Sequence, residues 1–153
     1  MSTIRIIEFR EEHAAAFRDL NLEWIEKYFE VEPNDLKMLN DPAGHILAKG
    51  GAIVMAEYNG EIVGTCALLK SEDHIYELAK MAVSPKAQGR QVGYTLVKAV
   101  IEKAKALGAA KIFLLSNRSL APAIHLYKKL GFKEVPLDSS DYKRSDIKME
   151  LSF

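Results

Sequence analysis

The chain of 153 residues holds one cysteine, Cys66. A single thiol cannot close an intramolecular disulfide or build a multi-cysteine zinc site, and it sits most easily in a reducing cytoplasm. Charge of neither sign is in excess: 21 Lys and Arg balance 21 Asp and Glu, for a formal net charge of zero. That excludes a chain whose main work is wrapping nucleic acid, because displacing counterions needs a basic surface. Long apolar runs are missing as well. The longest, Ala52 to Ala56, is far short of the roughly 20 residues of a membrane span. Met1 to Glu8 carries charges where a secretory signal needs an apolar stretch. Internal repeats, low-complexity tracts and compositional breaks are absent, so residues 1–153 read as one domain. What is there is 48% apolar and 27% charged, the make-up of a folded domain rather than a disordered chain. Folding at this length buries roughly 70% of the unfolded surface, enough for a core without staples.

Thr3 to Phe9 alternates weakly, as a first strand would. From Glu11 to Tyr28 the apolar residues Phe17, Leu20, Trp24, Ile25 and Tyr28 recur at helical spacing. Pro33 starts a short second helix with Leu36 and Leu39 on its apolar side, and Asp41-Pro42-Ala43-Gly44 is a turn signal. Two β-prone runs follow, Ala52 to Tyr58 and Glu61 to Leu69. Asn59-Gly60 joins them, the pair a type I′ turn prefers because both central residues need positive φ. A third run spans Ile75 to Val83. A helix is expected over Val92 to Leu107, stopped by Gly108, and a buried strand over Lys111 to Leu115. Pro122 opens a helix that ends at Leu130, before Gly131. Phe132 to Val135 and Asp146 to Leu151 complete the set as strands. The order is βααβββαβαββ. The strand–helix–strand crossover puts two strands in parallel, within an otherwise antiparallel sheet of a mixed α/β fold.

The stretch Gln88-Gly89-Arg90-Gln91-Val92-Gly93-Tyr94-Thr95 lies between the third run and the long helix. Free N–H groups at a helix start and the helix dipole attract anions, and glycine lets oxyanions approach the backbone. Arg90 adds a positive charge. A helix entry that merely contains glycine is the plain alternative. The spacing is neither that of a Walker loop nor that of a dinucleotide fingerprint.

Gln88 to Gly93 resembles the Gln/Arg-x-x-Gly-x-Gly/Ala motif of the GNAT superfamily of N-acetyltransferases. Ala123 to Phe132 resembles that family's Ala-Ile-x-Leu-Tyr-x-Lys-x-Gly-Phe helix, and the order of elements is similar too. The resemblance covers residues 50 to 153 well, and the first 45 by helix count. It implies a central sheet whose parallel pair splays to admit coenzyme A. It also implies an enzyme that moves an acetyl group from acetyl-CoA to an amine, with no metal. One residue departs from the motif: Gln91 stands where its first glycine is usual. Gln91 keeps the N–H of the anion nest but adds a Cβ beside the phosphates.

The resemblance also distributes roles. Residues 88–95 would hold the pyrophosphate. The backbone of Met81, Ala82 and Val83 would receive the pantetheine arm, with the Met81 N–H polarising the thioester carbonyl. Asn117 would meet that arm; a plain turn asparagine is the alternative. Tyr127 would direct its hydroxyl at the sulfur as an acid; an amphipathic-helix tyrosine packed on the sheet is the alternative. Glu77, inside a mostly apolar strand eleven positions before Gln88, occupies the place of the basic glutamate of histone-type members. Partial burial would improve it as a base, whereas an edge-strand glutamate would face solvent.

Other residues read more plainly. Cys66 suits buried packing. His13, His45, His74 and His125 lack metal-ligand spacing. The segment Glu26 to Asp41 is acidic, with Glu26, Glu30, Glu32, Asp35 and Asp41; its part around Glu26, Glu30 and Glu32 suits a solvated face, although it could attract a cationic amine. In the family the stretch holding Tyr142, Arg144 and Asp146 borders the acceptor site, where Arg144 could pair with a substrate carboxylate. The expected acceptor is a small-molecule amine or amino acid; a protein or peptide amine is the alternative within the family. Outside it stand a non-catalytic acyl-CoA-binding module and an interaction domain with a vestigial pocket. A cytoplasmic protein that binds neither nucleic acid nor membrane is expected. A homodimer is compatible with the family's habit of pairing.

Overall fold

A computed structural model describes residues 3–87, 89–137 and 144–153. Gln88 and Tyr142, both singled out above, lie outside the described residues. The elements follow the expected order: β1 (Arg5–Glu8), α1 (Ala14–Tyr28), α2 (Pro33–Asn40), β2 (Ala52–Tyr58), β3 (Glu61–Glu72), β4 (Ile75–Val83), α3 (Val92–Ala106), β5 (Lys111–Ser116), α4 (Ala121–Lys129), β6 (Lys133–Val135) and β7 (Ile147–Ser152). A short turn of helix at Glu11–His13 leads into α1 within the stretch read as helical, and others at Ala43–Leu47 and Pro85–Ala87 fill connections that the periodicity leaves unassigned.

These strands form one sheet in the order β1-β2-β3-β4-β5-β7-β6. Every neighbouring pair is antiparallel except β4 and β5, which the α3 crossover makes parallel. Asn59 (φ 52°) and Gly60 (φ 78°) turn the β2–β3 hairpin as a type I′ turn requires.

Both faces of the sheet are covered, and β2 shows it by period two. Val54 and Ala56 join the core under α3 and α4, while Ile53 and Met55 join the core under α1 and α2. The first core holds Leu96, Val97, Val100 and Ala104 of α3 against Cys66, Leu68, Tyr76 and Leu78. The second holds Phe17 and Ile25 of α1 and Leu39 of α2. Gly64 lets α3 descend onto β3. A Cβ there would come within 2.9 Å of Val92 Cγ1 and 3.0 Å of Leu96 Cδ1. A side chain at Gly64 would therefore lift the start of α3 off the sheet.

Candidate active site

The parallel ladder between β4 and β5 is short. It pairs Ile75 with Lys111, Tyr76 with Ile112 and Glu77 with Phe113, then stops, although β4 continues to Val83 and β5 to Ser116. The two strands therefore diverge within the sheet, and the backbone edges that face each other across the gap are left for another partner. A cavity of about 300 Å³ fills this gap. Its walls are Glu77 to Val83 of β4, Leu114 to Asn117 of β5 and just beyond, Tyr127 of α4, Asn21, Trp24, Tyr28 and Phe29 at the α1 side, and Arg144.

Lys80 and Met81 together oppose Cys66 of β3, because Thr65 pairs with Ala82 and Ala67 with Ala79. That is a β-bulge, and Lys80 enters it at φ 53°. Before the bulge Tyr76 and Leu78 point into the α3-side core, so Glu77 points to the α1 side. The extra residue re-phases the strand, and Lys80 lands on that same side, bonded to Asp35 of α2. Glu77 is half-buried, lines the cavity and pairs with Leu69 on one side and Phe113 on the other. Its strand is interior to the sheet, so the alternative of an edge-strand glutamate does not apply.

Tyr127 is buried and stacks edge-on against Phe132, with ring centroids 5.9 Å apart. Burial, with a further contribution from Cys66 beside it, pushes the phenol well above its ordinary value. The phenol is therefore protonated at neutral pH and able to donate a hydrogen bond. The Cys66 thiol is pushed up by burial in the same way, which fits packing and not nucleophilic chemistry.

The described residues 89–95, expected to hold a pyrophosphate, lie beyond the C-terminal end of β4 and outside the cavity walls. Gly89 (φ 83°) and Gln91 (φ 58°, ψ 31°) are both left-handed, and Gln91 caps α3. Gln91 thus adopts the conformation for which the family motif uses glycine. The first bond of the helix runs from the Thr95 N–H to the Gln91 carbonyl at 3.1 Å. The amides of Val92, Gly93 and Tyr94 precede it and project from the helix start. Arg90 rests its guanidinium 4.6 Å over the Tyr58 ring at the hairpin tip. Lys98 and Lys129 flank the Tyr94 ring at 5.8 and 5.5 Å. A helix start bordered by three cations suits a polyanion.

Asn117 lines the cavity, yet its side chain is engaged. Its Nδ2 donates to the Arg144 carbonyl at 2.6 Å, and its Oδ1 accepts from the Ser119 amide and hydroxyl at 2.9 and 2.6 Å. The turn role therefore has direct support.

The largest surprise is ionic. Asp35, one of the carboxylates of the acidic segment Glu26 to Asp41, is fully buried. Its carboxylate accepts from Lys80 Nζ at 2.8 Å, from both terminal nitrogens of Arg144 at 2.7 and 2.9 Å, and from the Glu32 amide at 2.9 Å. Arg144 also reaches Glu32 at 3.2 Å. Burial pushes the Asp35 carboxyl up. Hydrogen bonds from Arg144, Lys80 and the Glu32 amide outweigh it and hold the group at about 2. Burial pulls the Lys80 ammonium below its ordinary value, against the pull of Asp35. Sequence reading passed over Lys80. Its one signal was a second charge, three residues after Glu77, in an apolar strand. Glu26 and Glu30 are exposed as expected, as is His125. Among the described residues no group of three or more His, Cys, Asp or Glu could hold a metal ion, and no helix is long and apolar enough to cross a membrane.

Comparison with known proteins agrees with this geometry. Residues 8–132 match the family model described as Acetyltransferase (GNAT) family. The uncharacterized N-acetyltransferase YvbK of Bacillus subtilis is 33% identical over 113 residues, which is 72% of this chain and 73% of that protein. A crystal structure of a GNAT-family acetyltransferase from Staphylococcus aureus superimposes with a TM-score of 0.87 at 22% identity, covering 98% of this chain and 99% of that one. The acetyltransferase yncA of Salmonella typhimurium, solved with its cofactor acetyl-CoA, superimposes with a TM-score of 0.77 at 20% identity, covering 98% and 94%.

Proposed function

Because the chain belongs to the GNAT family of acetyltransferases, and so is an acetyl-CoA-dependent acyltransferase, we propose that it acetylates the primary amine of a small molecule or amino acid. Residues 1–153 act in this reading as one cytoplasmic acetyltransferase domain. The observation that carries it is the break in the β4–β5 ladder, which opens onto a cavity between α1 and α4. About 300 Å³ is the small end of the ligand-pocket range, which suits a compact amine beside the acyl group.

The residues present fit acetyl-CoA. Diverging strand edges that no longer pair with each other suit the amides of pantetheine, as in strand addition. The α3 start, with Arg90, suits the pyrophosphate. Acetyl-CoA supplies an activated thioester and a good leaving group. The amine attacks directly in a ternary complex. An alkylammonium has a pKa near 10.4, so it must lose a proton first. Glu77 accepts that proton, directly or through water, on the same side of the sheet as the aromatic wall. The Met81 N–H, at the bulge, donates to the oxygen on which negative charge develops. Tyr127 donates its proton to the departing thiolate. The burial that raises the phenol penalises the thiolate in the same cavity, so the transfer remains matched.

Calorimetry with acetyl-CoA and a thiol-release assay over a panel of amines test this reading. The expected result is binding, with turnover on at least one small amine. Binding without turnover on small amines or peptides would favour a non-catalytic acyl-CoA module, and turnover on peptides alone would favour protein acetylation.

A further inference from the structure

We propose that Asp35 is a positioning residue for acetyl transfer: its carboxylate is the centre of a charged strut that ties the two arms of the gap together across its open end. The inference rests on the gap being the acetyl-CoA site. Beyond Glu77 and Phe113 no ladder bond sets the spacing of β4 and β5, so the spacing must be set by other contacts. A continuous chain of them exists. From β4, Lys80 Nζ meets Asp35 Oδ1 at 2.8 Å. From Asp35, two hydrogen bonds run to the Arg144 guanidinium. From Arg144, the backbone carbonyl accepts Asn117 Nδ2 at 2.6 Å, one residue past the end of β5. The same stretch is docked on β5 twice more, through the Asp146 amide to the Ser116 carbonyl at 2.9 Å and the Arg118 amide to Asp146 Oδ1 at 2.8 Å. Glu32, bonded to Arg144, and Glu77, which bears electrostatically on Lys80, are the other charges of the cluster.

Stability alone does not account for this arrangement. The side chain of Asp35 is 0% exposed and that of Lys80 5%, and buried ion pairs of this kind are often no more stable than apolar residues of the same volume. What charged, directional bonds add is a defined distance. The strut also grips the bulge at the residue before Met81, whose N–H is assigned to the thioester oxygen. A misplacement of about 1 Å at a reacting centre can cost on the order of 100-fold in rate.

The test compares wild type with Asp35→Asn, the double variant Asp35→Asn/Lys80→Met, and Arg144→Met. Each is measured for thermal midpoint, for acetyl-CoA affinity by calorimetry, and for kcat at saturating acceptor. Asp35→Asn removes the carboxylate that Lys80 and Arg144 share, leaving Arg144 on Glu32, and should lose both stability and rate. The double variant removes one charge of each sign and should regain most of the thermal midpoint, while kcat stays about 10- to 100-fold below wild type. Arg144→Met keeps the Asp35–Lys80 pair but cuts the link to β5. It should show the same kcat loss, with part of the thermal midpoint lost because buried Asp35 gives up two hydrogen bonds. Recovery of kcat in step with stability in the double variant, or native kcat in Arg144→Met, would overturn the strut. If Asp35→Asn fails to fold, the other two variants decide. A wild type that neither binds acetyl-CoA nor turns over removes the underlying functional reading instead, and is thereby told apart.

Discussion

Gln91→Gly isolates the cost of the one departure from the phosphate-loop motif. Gln91 sits at φ 58° and ψ 31°, where a Cβ crowds the following carbonyl. A non-glycine residue pays about 1–2 kcal/mol for that conformation. Glycine would relieve it, but would also add freedom to the unfolded chain, worth about 0.4–1 kcal/mol in the opposite direction. The Gln91 side chain is exposed, so little packing is lost. The balance is a gain of roughly 0.5–1 kcal/mol. At this chain length 1 kcal/mol moves the thermal midpoint by about 2–4 °C, so the variant should melt about 1–4 °C higher. Differential scanning calorimetry without ligand measures it. Because the backbone of Gln91 already adopts the glycine-type conformation, affinity for acetyl-CoA should stay within about threefold. A lower midpoint would refute the strain argument. A dissociation constant that fell well beyond threefold would show instead that the Cβ obstructs the phosphates.

Three further outcomes are expected. Tyr127→Phe should lower kcat by about 100-fold, the ordinary worth of a general acid, with acetyl-CoA affinity nearly unchanged; wild-type turnover would remove Tyr127 from the acid role. Glu77→Gln should slow the reaction most at neutral pH, where the amine is still protonated, so a pH–rate profile that overlays wild type would exclude Glu77 as the base. Asp35 is held at about 2 in the folded protein against 3.8 ordinarily. The lowered value means its contribution is complete above pH 4 and disappears as pH falls toward 2. The loss is about 2 kcal/mol, from 1.36 kcal/mol per unit. Denaturant melts at pH 5 and pH 2.5 should show a shallower acid loss for Asp35→Asn than for wild type.

Much of this was legible in the residues because each signal was local. Asn59-Gly60 announces its hairpin by the φ values it tolerates, and the residues of α3 and α4 repeat at helical spacing up to a glycine. The loop at residues 89–95 and the helix at Ala123 carry the family motif. What escaped was non-local. Lys80 falls at the parity of core residues Tyr76 and Leu78, and only the register against Cys66 shows that a bulge turns it to the other face. Asp35 sits in an acidic run that a helix surface would normally present to water. Its partner Arg144 lies 109 positions away, a distance that no periodicity spans. The insertion of β7 between β5 and β6 is likewise a tertiary choice that strand order along the chain does not dictate.

The brevity of the parallel ladder has a mechanical meaning. Three residue pairs are the backbone pairing that joins the four-strand half of the sheet to the three-strand half. That makes the centre of the molecule a fracture line, where local opening should start at lower free energy than at either half. A molecule lodged along the diverging edges acts as mortar in that line. Any ligand that binds only the folded state adds RT ln(1 + [L]/Kd), about 2.7 kcal/mol at a hundredfold excess over Kd. On the placement proposed above, free coenzyme A, the product, would fill the seam as acetyl-CoA does, and the lifetime of the folded enzyme would follow the total coenzyme A pool and not substrate alone.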